Sequence, residues 1–202
     1  MPLRDHFRPP LDDVHSWDEL HGMWPATIVC ALNEKLPESY VAAPRVHLGV
    51  GSRLPEPEAY EVRVYEGRQN RGLVAAIQIV SPSNKDRAET RGAFVSKVTA
   101  LLAHNVCVSI VDVVSTSNVN LYAEILNSVE HADPALGDHP PPMYAATLRT
   151  RFQGRWLMEC WYHMLSVGAA LPTLPVWLTE GLAVPLDLEA TYEEICRILR
   201  IR

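Results

Sequence analysis

Two nearly continuous apolar runs, LVAAIQIV at residues 73–80 and VCVSIVDVVS at residues 106–115, are separated by a segment with helical spacing. Runs that are apolar at odd and even positions alike belong to strands covered on both faces. Two such strands joined by one helix lie parallel, through a right-handed crossover. In the intervening segment Phe94, Val95, Val98, Leu101 and Leu102 form the buried stripe, and the helix runs to about Ala103. Asp86 and Glu89 read as a capping box at its start. Carried back one turn, the stripe reaches Arg91 and Arg87, which places two arginines on the sheet-facing side. Lys97 flanks the same face.

The first apolar run also closes a hairpin. In YEVRVY, Val62 and Val64 alternate with Glu61, Arg63 and Tyr65, the period of a half-buried strand. The loop EGRQNRG has glycine at both ends. Folding the hairpin about Arg68 to Asn70 brings Glu61 opposite, or nearly opposite, Gln78. A polar residue in a buried strand needs a partner, and Glu61 is the candidate for Gln78.

The flanking segments complete an α/β chain. Residues 1–38 comprise an irregular arm and a helix opened by Ser16 and Glu19, with Pro25 expected to kink or interrupt it. Residues 39–130 hold the α/β core, with YVAAPRVHLG a weak strand and NLYAEILNSV a short helix. Residues 131–142 form a Pro-rich linker. Residues 143–202 hold a second hairpin turning at Gln153 and Gly154, an extended stretch broken by Pro175 and Pro185, and a final amphipathic helix at 190–199. The expectation is one domain over residues 1–202.

The net charge of −6 argues against a protein devoted to phosphate backbones, so a nucleic-acid contact requires a local basic patch. Cys30, Cys107, Cys160 and Cys196 are widely spaced, which disfavours a metal-thiolate cluster or a disulfide framework. The opening MPLRDHFRPPLDD has no apolar core of the kind a secretory leader carries, and no stretch approaches a membrane span. The expected setting is reducing and cytoplasmic, away from membranes; the sequence names no partner.

IQIVSPSNKDRAETRGAFVSKVTALLAHNVCVSIVDVV resembles the Uma-type branch of the PD-(D/E)xK, or restriction-endonuclease-like, superfamily. There a strand ends in Ser-Pro-Ser, an Asp follows, a helix carries a Lys, and the next strand ends in an Asp and valines. The chain is also similar to a bacterial domain-of-unknown-function family related to that branch. The segments that carry this likeness are MPLRDHF, LHGMWPATIV, YEVRVY and the tail from LPTLPVWL to EEICRIL. The likeness spans most of the chain. It implies a restriction-endonuclease-like core of hairpin, crossover helix and parallel strand, with an N-terminal helical segment and a C-terminal hairpin plus helix. It implies no defined activity.

The resemblance also implies where a site would lie. Glu61, Gln78, Lys85 and Lys97 are the candidate catalytic residues, with Glu61 and Gln78 as ligands for Mg²⁺ if the site works. The family position of Gln78 is usually Glu, and the lysine due two residues on, at Val80, is absent. Lys85 or Lys97 would supply the cation from the helix. The stretch before Tyr60 is shortened, leaving Glu56, Glu58 and Glu61 as the nearby acids, with Asp112 on the next strand. Arg87 and Arg91 either bind phosphate or pair with Glu61.

A hard divalent ion wants two or three carboxylates. The favoured reading is therefore a degenerate member with a binding or structural role and no cofactor; the alternative is an Mg²⁺-dependent nuclease. Asp112 is expected to bond Ser109 or Ser115. His131, Asp133, Asp138 and His139 are either solvated loop residues or a zinc set. Trp156, Trp161 and Trp177 suit a core or a dimer face.

Overall fold

The computed structural model describes residues 2–47, 59–67 and 72–201. Glu56, Glu58 and the hairpin turn at Arg68 to Asn70 lie outside them.

A six-stranded mixed sheet forms the centre, in the order β1-β2-β3-β4-β5-β6. The strands are β1 (Tyr40–His47), β2 (Ala59–Glu66), β3 (Gly72–Ile79), β4 (Cys107–Asp112), β5 (Tyr144–Phe152) and β6 (Trp156–Met164). β3 and β4 pair parallel, and every other neighbouring pair is antiparallel. The single parallel step is the one the two apolar runs require, because the helix between them carries the chain back across the sheet. That crossover is α3 (Ala88–Ala103), preceded by the short α2 (Pro82–Asp86). The remaining helices are α1 (Trp17–Asn33), α4 (Leu121–Ser128) and α5 (Leu188–Ile198), making five among the described residues.

Both faces of the sheet are covered. On one, Trp24, Ile28 and Leu32 of α1 and Tyr192 and Ile195 of α5 bury against Val62, Val64, Ile77 and Ile79. On the other, Phe94, Val98 and Leu102 of α3 and Leu121, Tyr122 and Ile125 of α4 bury against Val80, Val108, Ile110 and Leu148. Since strand side chains alternate, Val62 and Val64 facing α1 turn Glu61 and Arg63 to the α3 side.

Several elements differ from expectation. α1 runs unbroken through the buried Pro25. Ser16 does cap it, accepting from the Asp18 N–H at 3.1 Å, but Glu19 pairs with His15. The arm before it is irregular yet docked: Leu3 is buried and exchanges backbone hydrogen bonds with Gly168 and Ala169. The stretch from Thr173 to Asp187 is a hairpin of β7 (Thr173–Trp177) and β8 (Ala183–Asp187), with Pro175 opposite Pro185. Neither proline has an N–H, so the two share a non-hydrogen-bonded position, which a two-stranded sheet tolerates.

The expected capping box at Asp86 and Glu89 is corrected. Asp86 is the last residue of α2, and Arg87 is extended at φ −121° and ψ 152°. The chain breaks there because Ser81 and Pro82 start a separate turn. Asn84 Oδ1 accepts from the Ser81 N–H at 2.9 Å and from Ser81 Oγ at 3.1 Å. α3 starts anew, with Thr90 Oγ1 accepting from the Arg87 N–H at 3.2 Å.

Candidate functional site

Antiparallel pairing sets Glu61 directly opposite Gln78, as the hairpin count anticipates. The register shift in β2 falls between Val64 and Tyr65, so it does not disturb this pair. Gln78 Nε2 donates to Glu61 Oε2 at 2.7 Å. From α3, Lys97 Nζ reaches Glu61 Oε2 at 2.5 Å and Gln78 Oε1 at 2.8 Å. Arg63 Nε donates to Glu61 Oε1 at 2.5 Å, and an Arg45 nitrogen lies 3.8 Å from the same oxygen. Arg45 joins because β1 pairs it opposite Glu61, a contribution the hairpin alone does not reveal.

The Glu61 side chain is 0% exposed, while Arg45 is 38%, Lys97 30% and Arg63 18%. A wholly buried carboxylate is thus ringed by cations that keep their outer surfaces in solvent. Burial pushes the Glu61 carboxyl upward, but Lys97, the Gln78 amide and Arg63 outweigh it and hold it below its ordinary value. Glu61 stays ionised because its charge is matched, the condition under which a buried carboxylate persists.

Lys85 is not part of this cluster. Its side chain is 1% exposed and its Nζ lies 2.9 Å from Asp112 Oδ2, itself 0% exposed. Lys85 Nζ also donates to the Pro142 carbonyl at 3.0 Å, and Asp112 Oδ1 accepts from the Val114 N–H at 3.1 Å. The pair ties α2 to the end of β4 and to the Pro-rich linker. Ser109, expected to serve Asp112, bonds Thr147, and Ser115 donates to Asp5. Full burial pushes the Asp112 carboxyl up to about 7, against the pull of Lys85 and the Val114 amide.

Arg87 and Arg91 do not face Glu61. Arg87 is exposed. Arg91 pairs with Glu124 of α4 at 3.1 Å and donates to the Lys85 carbonyl at 3.4 Å. The extended backbone takes Arg87 out of α3, whereas Arg91, within α3, keeps the phase of Phe94 and meets Glu124 of α4 instead.

A resident Mg²⁺ does not fit the described donors. A hard cation needs several anionic oxygens. Here one carboxylate meets three cations, a cluster of net positive charge two. Gln78 presents its oxygen to Lys97 and its nitrogen to Glu61. Among the described residues no group of three or more His, Cys, Asp or Glu side chains could hold a metal ion, the His131–His139 stretch included. Asp133 accepts instead from Tyr122 Oη at 2.6 Å.

The tryptophans divide. Trp161 and Trp177 pair at 5.4 Å, and the Arg149 guanidinium lies 3.5 Å from the Trp177 ring centre. Trp156 is exposed rather than core. No helix among the described residues is long and apolar enough to cross a membrane.

The fold and cluster define a mixed α/β protein with a buried, cation-ringed carboxylate between a hairpin and its crossover helix. No protein-family model, curated protein or solved structure matches the chain.

Proposed function

We propose that this chain is a degenerate restriction-endonuclease-like domain that binds a phosphate-bearing ligand without cleaving it. The observation that carries this reading is the enclosure of Glu61 by Arg45, Arg63 and Lys97. Where a working site of this class places a divalent ion, this chain places an ammonium group. The surplus positive charge faces outward, and it is the local basic patch that a chain of net charge −6 needs for any such contact. The hairpin, crossover helix and parallel strand support the class. Four unpaired cysteines accord with a reducing, cytoplasmic setting.

The alternative, an Mg²⁺-dependent nuclease with Gln78 as a neutral ligand, draws on the convergence of Glu61, Gln78 and Lys97 at one point. Calorimetric titration separates the two. The expected result is no heat with MnCl₂, no cleavage of plasmid or single-stranded DNA, and salt-sensitive binding of inorganic phosphate or a short DNA duplex that Arg45→Glu weakens. Titrating phosphate and duplex separately distinguishes a free anion from a nucleic-acid backbone. Metal-dependent cleavage that disappears in Glu61→Gln would establish the nuclease instead, and absence of binding to both anions would remove the ligand.

A further inference from the structure

We infer that β6 is a self-pairing edge through which two copies of the chain join their sheets antiparallel, about a two-fold axis at Trp161. The six-stranded sheet has two edges, β1 and β6. They are unlike. β1 carries Pro44, which cannot donate, followed by Arg45, the kind of residues that blunt an edge. β6, WLMECWYHM, spans nine residues with no proline, no lysine and no arginine, and pairs with β5 without a register shift. Along its free side alternate residues turn N–H and C=O groups outward, which is a template for another strand.

The sequence of β6 is complementary to itself in one register. With Trp161 opposite Trp161 of the second copy, Glu159 faces His163, Cys160 faces Tyr162, and Met158 faces Met164, each pair occurring twice. Glu159, held within its own chain by Arg149 at 2.5 Å and Arg151 at 3.2 Å, meets the imidazole of His163, and the Met158 and Met164 pairs are apolar. Met164, 70% exposed in the single chain, is covered by this pairing. In the same register Trp156, 60% exposed, falls diagonal to Met164 of the second copy. Large apolar side chains left in solvent at both ends of one strand are thereby brought together, as an isologous contact demands. Shifting the axis to Cys160 sets Glu159 against Trp161 and His163 against Leu157, which loses both Glu159–His163 pairs. An axis at Glu159 opposes two like charges. The seven-residue overlap, Met158 to Met164, gives roughly 24 Å of paired backbone. This interface is independent of the Glu61 cluster, which lies on the hairpin and helix at the other side of the sheet.

Sedimentation equilibrium of the full chain across the micromolar range tests the assignment. The wild type is expected to behave as a dimer, and His163→Glu, which opposes Glu159 with a second carboxylate at two places, to weaken it by roughly tenfold or more while the circular dichroism is unchanged. In the Met158→Cys, Met164→Cys double variant, mild oxidation should give a covalent dimer. These positions are too far apart along one strand to join within a chain. A monomer at every concentration would overturn the inference. So would a dimer indifferent to His163→Glu and not cross-linked by the double variant, since its interface would lie elsewhere.

Discussion

Lys97 Nζ stands 2.5 Å from Glu61 Oε2, joining the crossover helix to a carboxylate that is otherwise sealed in the sheet. Glu61 holds its proton less tightly than an ordinary carboxyl, although burial alone would raise it. A carboxyl lowered in the folded state adds stability above the unfolded value, and that stability is lost as pH falls through the folded value. Lys97→Met should therefore cost about 1–2 kcal/mol near neutrality, moderated because Arg63 and Arg45 remain. It should also move the onset of acid unfolding to higher pH. Urea midpoints across the acid range check this, and an onset unmoved by the substitution would count against the pairing.

Lys85 and Asp112 make the other buried pair, at 2.9 Å. Removing one member strands the other in a dry site. Lys85→Met should cost about 3–5 kcal/mol. The double variant Lys85→Met, Asp112→Asn should recover most of that, because asparagine can still accept from the Val114 N–H. A double-mutant cycle by urea denaturation reads the coupling, and strictly additive losses would show that the pair does not act as a unit.

His6 gives a pH prediction of definite sign. Burial, reinforced by Arg4, lowers it from 6.5 to about 4 against the raising influence of Asp5; His15 adds to the lowering. Its Nε2 lies 2.7 Å from Tyr192 Oη. Between those two values the unfolded chain binds a proton that the folded chain does not, so stability falls as pH drops through this window. The full loss is about 3 kcal/mol. Asp112, raised in the folded state, acts oppositely: its contribution is complete below its unfolded value and lost as pH rises through about 7. Comparing wild type with His6→Asn cancels the Asp112 contribution. The variant should lose less stability than the wild type between about pH 7 and about pH 4.5, and equal losses would contradict a buried neutral histidine.

The hairpin partners were legible because two period-two strands and a bounded loop leave few registers, and Gln78 amid aliphatic residues marks itself as needing a partner. Lys97 was legible as a flank position but not as the group that reaches Glu61, since a long side chain's direction depends on what it meets. The two arginines miss the cluster for different reasons: Ser81-Pro82 with Asn84 builds a separate turn that leaves Arg87 extended, whereas Arg91 keeps the helical phase but meets Glu124 of α4, which the stripe alone does not reveal. Arg45 was invisible from the hairpin because it enters through a third strand. The β7–β8 hairpin was hidden by prolines that normally argue against strands, here placed opposite each other.

Arg149 fastens the β7–β8 hairpin to the main sheet. Its side chain is 8% exposed, its Nε donates to Glu159 at 2.5 Å, and it reaches the Glu180 carbonyl at 3.2 Å while stacking on Trp177. A lysine offers neither the planar face nor the fork. Arg149→Lys should cost about 2–3 kcal/mol by loss of the stack and of charge-assisted bonds. It should also alter Trp177 fluorescence. A stability within experimental error of wild type would show that charge alone suffices there.

Gln78→Glu bears most directly on why the cluster takes no metal. Gln78 now satisfies both neighbours, giving its nitrogen to Glu61 and its oxygen to Lys97. Glutamate at this position would set a second carboxylate beside Glu61 at the distance of the present 2.7 Å hydrogen bond. The donor would be lost and like charges would face each other, with Lys97 shared between them. The metal-free variant should therefore be less stable than wild type by about 1–3 kcal/mol. Two adjacent carboxylates are also what a hard divalent ion seeks. Mn²⁺ should restore the variant, by about 2.7 kcal/mol at a concentration one hundred times its Kd, and leave the wild type unmoved. Thermal melts of both chains with and without MnCl₂ make the comparison. Equal stabilisation of both by the ion would mean that the amide oxygen serves as a ligand. Stabilisation of neither would mean that the surrounding arginines, rather than Gln78, exclude the metal.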